Sequence, residues 1–371
     1  MFPTLSYLVR WLTGWNLYLP VPTFGFCMAL AFWAAYAIFT LELRRKQRLA
    51  AIPPAPRTVP PGSPVTRADP PPAAPRIGPI PSEVRTVPLG SPVARVDPPP
   101  AAPGTHPISS QVRTVPPIGA IPPDIHVGRL MDQLLLWCGL IGFAGALLLA
   151  KLEDGYGLWN HPWRWLLRYH GLNYYGGLIF GAVTYLYILR RRGIPLAVAA
   201  DIGSPGMMLA YAIGRLGCHL AGDGDWGIVV QSPKPSWLSW APDWVWAAHY
   251  PHNVLRQGVL IPDCRLDYCM VLPEAVFPTA LYESIVCGLL FLLLWGLRRR
   301  LNEPGLLFSI YALLIGLERF LIEYIRITPR HRFWGWTLSQ AQLISLGFMA
   351  IGVVGISYIL TTSAKKAYFY P

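Results

Sequence analysis

The residues of this sequence that could do chemistry are charged side chains beside long apolar runs. Residues 214–227 read GRLGCHLAGDGDWG and directly follow the apolar run PGMMLAYAI. An ionisable group inside a bilayer costs several kcal/mol unless it is paired or hydrated, so such groups are candidate functional residues. Arg215, Asp223 and Asp225 are therefore the first candidates. The glycines among them, such as Gly227, predict a turn that leaves the membrane and brings backbone N–H groups near an anion.

A second charged set lies in the stretch RFLIEYIR. Arg319, Glu323 and Arg326 follow the spacing i, i+4 and i+7, which predicts that one helical face carries all three. Two arginines that outnumber their nearby partners favour an anion site, because the planar guanidinium binds phosphate oxygens in pairs. Together with Arg215 they predict a site for a lipid phosphate. The alternative is a salt-bridge ladder that only packs helices.

Further candidates lie inside other apolar runs. Asp201 comes early in the fourth predicted span and Glu283 early in the fifth. Tyr175 precedes Gly176 and Gly177 in NYYGGLIFG. A glycine pair allows close approach of another helix or an acyl chain, and a tyrosine at this boundary is also typical of an aromatic belt.

The composition indicates the class of protein that must position these residues. Only 13% of the 371 residues are charged and 53% are hydrophobic, whereas a soluble protein carries about a quarter charged residues. The long apolar runs predict an all-α polytopic membrane protein with about seven transmembrane helices. The predicted spans are residues 23–42, 131–150, 172–189, 195–214, 277–297, 305–325 and 338–361.

The basic clusters predict the orientation of these spans. Clusters at 44–46, 190–192, 298–300 and 365–366 all fall inside the cell if the N-terminus is outside and the C-terminus inside. They account for much of the net charge of +12, so nucleic acid is not expected as a partner. The same topology places Arg215, Arg319 and Arg326 toward the outer leaflet.

Two regions lie between the predicted spans. Residues 53–123 hold more than half of the 39 prolines and repeat the sequence RTVP with starts 28 residues apart, which predicts a disordered cytoplasmic insert. Residues 219–275 predict a small extracytoplasmic head, where the spacing of Cys264 and Cys269 is compatible with a disulfide. The predicted divisions are the N-terminus with the first helix at 1–42, a proline-rich linker at 43–128, helices two to four at 129–218, the head at 219–275, and helices five to seven with a tail at 276–371.

Six short motifs occur in an order that resembles the prolipoprotein diacylglyceryl transferase family. They are PTFG, YYGGLI, GRLGC with GDGDWG, FPTALYE, RFLIEYIR and LSQAQLIS. The resemblance covers nearly all of the chain outside residues 43–128. Tyr175 stands where the family commonly has histidine, and Cys218 and His219 stand where it commonly has asparagine and phenylalanine.

This resemblance implies transfer of a diacylglyceryl group from phosphatidylglycerol to the lipobox cysteine thiol of a secreted prolipoprotein. A thioether forms, glycerol phosphate leaves, and no cofactor or metal is needed. The implied partners are phosphatidylglycerol, prolipoprotein precursors and membrane lipid, and the implied location is the bacterial cytoplasmic (inner) membrane. The implied catalytic residues are Arg215, Arg319 and Tyr175. The implied substrate-binding residues are Gly176, Gly177, Asp223, Asp225, Gly227, Tyr282, Glu283, Glu323 and Arg326.

Several alternatives stay open at this point. Three acceptors of the thiol proton are open: Tyr175, a histidine such as His219 or His252, or no side chain at all. The reference pKa of tyrosine, about 10, is high for a general base. A non-catalytic lipid- or lipoprotein-binding homologue would hold a substrate without modifying it. A transporter is less favoured, because it predicts inverted repeats that are not evident between the two halves.

Overall fold

The computed structural model describes residues 1–51, 121–122, 125–153, 173–333 and 336–369. Most of the predicted proline-rich insert, and with it the prediction of disorder, lies outside the described residues. The first long helix continues to Ala51, past residue 43, where the linker was predicted to begin. Leu43 is almost fully buried, and this packing keeps the basic end of the helix on the protein.

The described residues form eight α-helices and two short antiparallel hairpins. The helices are α1 Leu5–Thr13, α2 Thr23–Ala51, α3 Val127–Glu153, α4 Tyr174–Arg191, α5 Leu196–Ala221, α6 Thr279–Leu297, α7 Leu306–Ile322 and α8 Gln340–Phe369. The hairpins pair β1 Val259–Leu260 with β2 Met270–Val271, and β3 Arg330–Phe333 with β4 Trp336–Ser339.

Five of these helices are long and apolar enough to cross a membrane, which makes the chain a polytopic membrane protein. They are α2, α3, α5, α6 and α8. The other two predicted spans correspond to α4, with 18 residues, and α7, with 17 residues. Neither is among the helices that meet the length and hydropathy needed, so seven spans with the N-terminus outside remain a prediction.

Helix α5 is the central element, because it packs against α2, α6 and α7. Gly217 allows the contact with α2: a Cβ atom there would lie 2.6 Å from the Cβ of Cys27, closer than two carbons can approach. Met208 and Ala212 are buried with Cys287 of α6 and Leu307 of α7. The end of α5 is therefore fixed against three other helices.

Asp201, predicted to be a functional candidate, caps a neighbouring helix. Its two carboxylate oxygens accept hydrogen bonds from the backbone N–H groups of Gly305, at 2.7 Å, and Phe308, at 2.8 Å, at the start of α7. The first N–H groups of a helix have no partner within the helix, and a carboxylate stabilises them. Asp201 is 2% exposed, so the bond joins α5 to α7 in the protein interior.

We expect the Asp201→Ala variant to lose about 2 kcal/mol of stability, because two buried N–H groups lose their acceptor. Thermal unfolding in detergent measures the loss, with Asp132→Ala on the exposed side of α3 as the control. The activity of the folded fraction should stay near wild type. An unfolding temperature equal to that of the control would contradict the capping role.

The segment between α5 and α6 forms a small folded head. Trp226, Ala248, Tyr250 and Val276 make its apolar core. Cys264 and Cys269 are joined by a disulfide, with their Cα atoms 5.7 Å apart. The head returns the chain to α6 directly beside the end of α5, and this connection brings the charged residues together.

Candidate active site

Helix α5 carries Arg215 in its interior. The fourth span was predicted to end at residue 214, but the helix continues through Arg215 to Ala221 and ends at Gly222, which adopts a left-handed φ of 64°. The prediction that the glycines turn the chain out of the membrane is therefore wrong for Gly217, which packs against α2. Arg215 is thus fixed on a helix, and the turn follows seven residues later.

A single buried carboxylate, that of Glu283 on α6, lies between three arginines. Glu283 is 0% exposed. Its Oε2 lies 2.8 Å from Nε of Arg215, and its Oε1 accepts from Nη1 of Arg319 at 2.6 Å. Nη1 of Arg326 donates to Oε2 at 3.4 Å. Glu283 therefore joins guanidinium groups from three separate segments of the chain.

Asp225 of the head forms a second bridge between two of these arginines. Its carboxylate contacts Nη1 of Arg215 and Nη2 of Arg326. Its backbone carbonyl accepts a hydrogen bond from Thr279 at 2.7 Å, which ties it to the start of α6. Burial would raise the pKa of Asp225, but the charges of Arg215 and Arg326 outweigh it and lower that pKa below its ordinary value. Asp225 is therefore anionic at neutral pH.

Arg326 reaches the site from outside a helix. The spacing predicted that α7 would carry Arg319, Glu323 and Arg326 on one face, but α7 ends at Ile322 and Glu323 is its C-cap. Residue 326 instead forms an antiparallel bridge with Gly227. A Cβ atom on Gly227 would lie 2.5 Å from the carbonyl oxygen of Ile325, so Gly227 is needed for this close backbone approach.

Arg319 also lies close to Glu323, at the i, i+4 spacing seen in the sequence. Nη2 of Arg319 is 3.1 Å from Oε2 of Glu323, which is 1% exposed. Within the described residues, Arg215, Arg319 and Arg326 each meet at least one carboxylate of Asp225, Glu283 or Glu323. The prediction that the arginines outnumber their nearby partners is therefore wrong, because the head supplies Asp225 and α6 supplies Glu283.

Tyr211 is a member of the site that sequence reasoning missed. Its hydroxyl accepts from Nε of Arg215 at 3.1 Å and donates to Oε1 of Glu283 at 3.4 Å. Tyr211 precedes Arg215 by four residues, so helical spacing could have placed the two side chains together. Tyr211 lies within the apolar run PGMMLAYAI, and for this reason it was not expected to be a site residue.

Several predicted site residues make their contacts outside the cluster of arginines and carboxylates. The hydroxyl of Tyr282 donates to the backbone carbonyl of Val245 in the head at 2.8 Å. Gly176 lies against α3, where a Cβ atom would be 2.3 Å from the carbonyl oxygen of Gly145, and Gly177 faces the same helix. The close approach at this glycine pair is therefore made by a helix. Tyr175 is 38% exposed on α4.

The two candidate histidines both bond within the protein. Nδ1 of His219 is 3.0 Å from the hydroxyl of Tyr250, and His219 is 4% exposed. Nδ1 of His252 is 2.5 Å from the backbone carbonyl of Tyr268. The first contact joins the end of α5 to the head, and the second lies within the head.

Asp223 and Cys218 lie next to the arginine site. Ligand atoms of Cys218, Asp223 and Asp225 lie within 4.8 Å of one another. Burial raises the pKa of Asp223 above its ordinary value. Asp225 is already bound by two guanidinium groups, whose positive charge opposes a cation there. These residues therefore do not fit a metal ion.

The fold and the site define a polytopic membrane protein with partly buried arginines paired to carboxylates at one end of a central helix. The family model for prolipoprotein diacylglyceryl transferase matches residues 123–358, and the chain belongs to this family.

Individual relatives are distant. The chain is 28% identical over 244 residues to phosphatidylglycerol–prolipoprotein diacylglyceryl transferase 1 of Streptomyces coelicolor, covering 64% of this chain and 62% of that protein. It is 32% identical over 202 residues to the Streptococcus sanguinis enzyme, covering 54% and 65%. It is 27% identical over 256 residues to enzyme 1 of Clostridium perfringens, covering 67% and 85%. The chain spans about half to two thirds of the length of the first relatives it matches.

Proposed function

We propose that this protein transfers a diacylglyceryl group from phosphatidylglycerol to the lipobox cysteine of secreted prolipoproteins. Membership of the family supports the reaction class. The observation that carries the proposal for this chain is the convergence of Arg215, Arg319 and Arg326 on Glu283. Planar guanidinium groups held in one place are suited to the phosphate of the lipid donor.

Asp225 marks the position at which the lipid phosphate enters. Its side chain is 30% exposed, whereas that of Glu283 is fully buried. An anionic headgroup that approaches the exposed side meets Asp225 first and competes with it for Arg215 and Arg326. Arg319, with 22% of its side chain exposed, is the most accessible of the three arginines. Glu283 keeps the guanidinium groups in place while the headgroup binds.

The reaction then needs one bond to form and one to break. The cysteine sulfur attacks the glyceryl carbon that carries the phosphate, and the carbon–oxygen bond breaks with its electron pair on the phosphate oxygen. The arginines stabilise the charge that develops on this leaving group. The thiol proton must also leave, and a nearby guanidinium favours the thiolate.

We expect Tyr175→Phe to retain activity within about threefold of wild type. Tyr175 lies on α4, which packs mainly against α3, whereas the arginines come from α5, from α7 and from the segment after α7. Transfer rates at matched protein abundance check this expectation. A loss of about 10²–10⁴-fold would instead assign the proton relay to Tyr175.

The orientation of the site is part of the proposal. Arg215 lies 19 residues after Leu196, so it is about 30 Å along α5 from the end of the helix that follows the basic residues 190–192. If these basic residues face the cytoplasm, as is usual in membrane proteins, the site lies toward the outer leaflet. Secreted precursors and phosphatidylglycerol are both available there in the bacterial cytoplasmic membrane.

We expect deletion of residues 57–117 to leave transfer activity within about tenfold of wild type. The segment is proline-rich and repeated, and the basic clusters at the ends of the neighbouring spans predict that it is cytoplasmic. Activity in membranes, normalised to protein abundance, is the measurement. A larger loss would show that the segment takes part in the reaction or in recruiting a substrate.

A non-catalytic role is the alternative, and one observation favours it. All three arginines already contact carboxylates, so the cluster is also suited to holding helices together. Complementation separates the two functions. We expect the protein to restore growth and lipoprotein processing in a cell depleted of its own transferase, whereas a binder would be produced in the membrane without restoring either.

A further inference from the structure

A cavity of about 400 Å³ lies between the start of α3 and the end of α4, away from the arginine site. It is lined by Ile125, His126, Arg129, Gln133, Arg191 and Arg192. None of these six lining residues is acidic. The charged groups among the described lining residues are therefore basic, and the cavity is of a size to hold a small ligand or a lipid headgroup.

Two of its arginines are positioned by neutral groups. Arg192 donates to the side-chain oxygen of Gln133. Arg191 donates from Nε to the hydroxyl of Tyr187 at 3.0 Å, and its guanidinium lies 5.2 Å from the centre of that ring. Arg215, in contrast, is held by two carboxylates. The partners of Arg191 and Arg192 fix the side chains but do not neutralise their charge.

The backbone segments that carry the lining residues are anchored in the protein core. Leu130 of α3, Leu189 of α4 and Ile194, just before α5, are each 1% exposed and belong to one buried cluster. The side chain of Gln47 on α2 donates to the backbone carbonyl of Ile125 at 2.9 Å. The backbone segments that carry Arg129, Arg191 and Arg192 are therefore fixed by the core, while the arginine side chains are exposed.

Apolar surface continues from the cavity along α3. Gln133, Leu136 and Leu140 follow Arg129 by four, seven and eleven residues. These spacings place all four residues on one face of the helix. Leu136 is 55% exposed and Leu140 is 56% exposed. The polar end of this face lines the cavity, and the apolar end turns outward.

Helix α4 repeats the same arrangement. Tyr187 and Val183 precede Arg191 by four and eight residues, so they share its face. Tyr187 is 56% exposed and Val183 is 59% exposed. A basic headgroup pocket with exposed apolar faces on both neighbouring helices is the arrangement that an anionic phospholipid requires.

We propose that this cavity binds the phosphate of an anionic phospholipid from the leaflet opposite the arginine site. Arg129, Arg191 and Arg192 contact the phosphodiester, and the acyl chains lie along the exposed apolar faces of α3 and α4. The ligand chemistry is a phosphate group in a lipid, as distinct from free phosphate. This site does not depend on the proposed transfer reaction.

Native mass spectrometry of the full chain in detergent tests the proposal with dioleoyl phosphatidylglycerol and dioleoyl phosphatidylcholine as probes. The variant Arg191→Gln/Arg192→Gln removes two charges at the cavity. The control Arg299→Gln/Arg300→Gln removes two exposed charges at the end of α6. We expect the first variant to weaken one phosphatidylglycerol-binding step at least about tenfold, and the control to bind like wild type.

Three outcomes would overturn the proposal. The two variants could lose equal affinity, which would show attraction by charge alone. The cavity variant could bind like wild type. Inorganic phosphate, at matched ionic strength, could remove the lipid bound at this step, which would assign the cavity to free phosphate. Because lipid binding is measured and not transfer, a failure of the proposed reaction would leave the comparison between the two variants intact.

Discussion

The Arg215→Lys variant is expected to transfer diacylglyceryl groups at least about 100-fold more slowly than wild type, which corresponds to about 2.7 kcal/mol in the barrier. In the structure Arg215 donates from Nη1 to Asp225, from Nη2 to Glu283 at 3.2 Å and from Nε to Tyr211 at 3.1 Å. A lysine keeps the charge, but its compact ammonium cannot reach these groups together or bind phosphate bidentately. We expect Arg319→Lys to have the same effect, because Arg319 also binds Glu283.

The control for these two variants is an arginine-to-lysine substitution far from the arginine cluster. Arg299 is exposed beyond the end of α6, so Arg299→Lys serves as the control. Initial transfer rates at saturating phosphatidylglycerol should separate the variants from the control at equal membrane abundance. Rates of Arg215→Lys near wild type would mean that charge alone suffices, and the bidentate phosphate model would be wrong.

The Glu283→Gln variant is expected to be the most damaging single change. Glu283 is fully buried between three arginines, and removal of its charge leaves their positive charges facing one another. Loss of one partner from a buried ion pair costs on the order of 3–5 kcal/mol. We therefore expect a large fall in the unfolding temperature together with a loss of transfer beyond about 100-fold.

A second buried acid provides a matched control for stability. Glu42 of α2 is also 0% exposed and binds two arginines, Arg298 at 2.6 Å and Arg45 at 2.5 Å. Glu42→Gln should lower the unfolding temperature in the same way, but the protein that remains folded should transfer at the wild-type rate. If Glu42→Gln and Glu283→Gln lost equal activity per folded molecule, the special role of Glu283 would be refuted.

Much of the helical framework could be predicted from the sequence, because apolar runs long enough to cross a bilayer are a strong signal. Each of the seven predicted spans corresponds to a helix in the structure. The ends were less predictable. Helix α5 passes through Arg215 because Gly217 and Cys218 pack inside the protein, and hydropathy cannot detect such burial.

The composition of the site was only partly accessible to sequence reasoning. Arg215 and Arg319 were expected to converge, and the structure places both on Glu283. Helical spacing failed for Arg326, because the segment after Ile322 pairs with the head: the N–H of Ile228 donates to the carbonyl of Ile325 at 2.9 Å. Such a pairing joins residues about a hundred positions apart, and local periodicity carries no information about it.

The central claim is that this protein makes a thioether between a diacylglyceryl group and a lipobox cysteine. Mass spectrometry of a synthetic lipobox peptide, incubated with the purified full chain and phosphatidylglycerol, tests it most directly. The account predicts that the peptide gains one diacylglyceryl group on its cysteine and that glycerol phosphate appears in equal amount. A peptide in which serine replaces the cysteine should stay unchanged. An unmodified cysteine peptide, with folded protein and lipid present, would contradict the account.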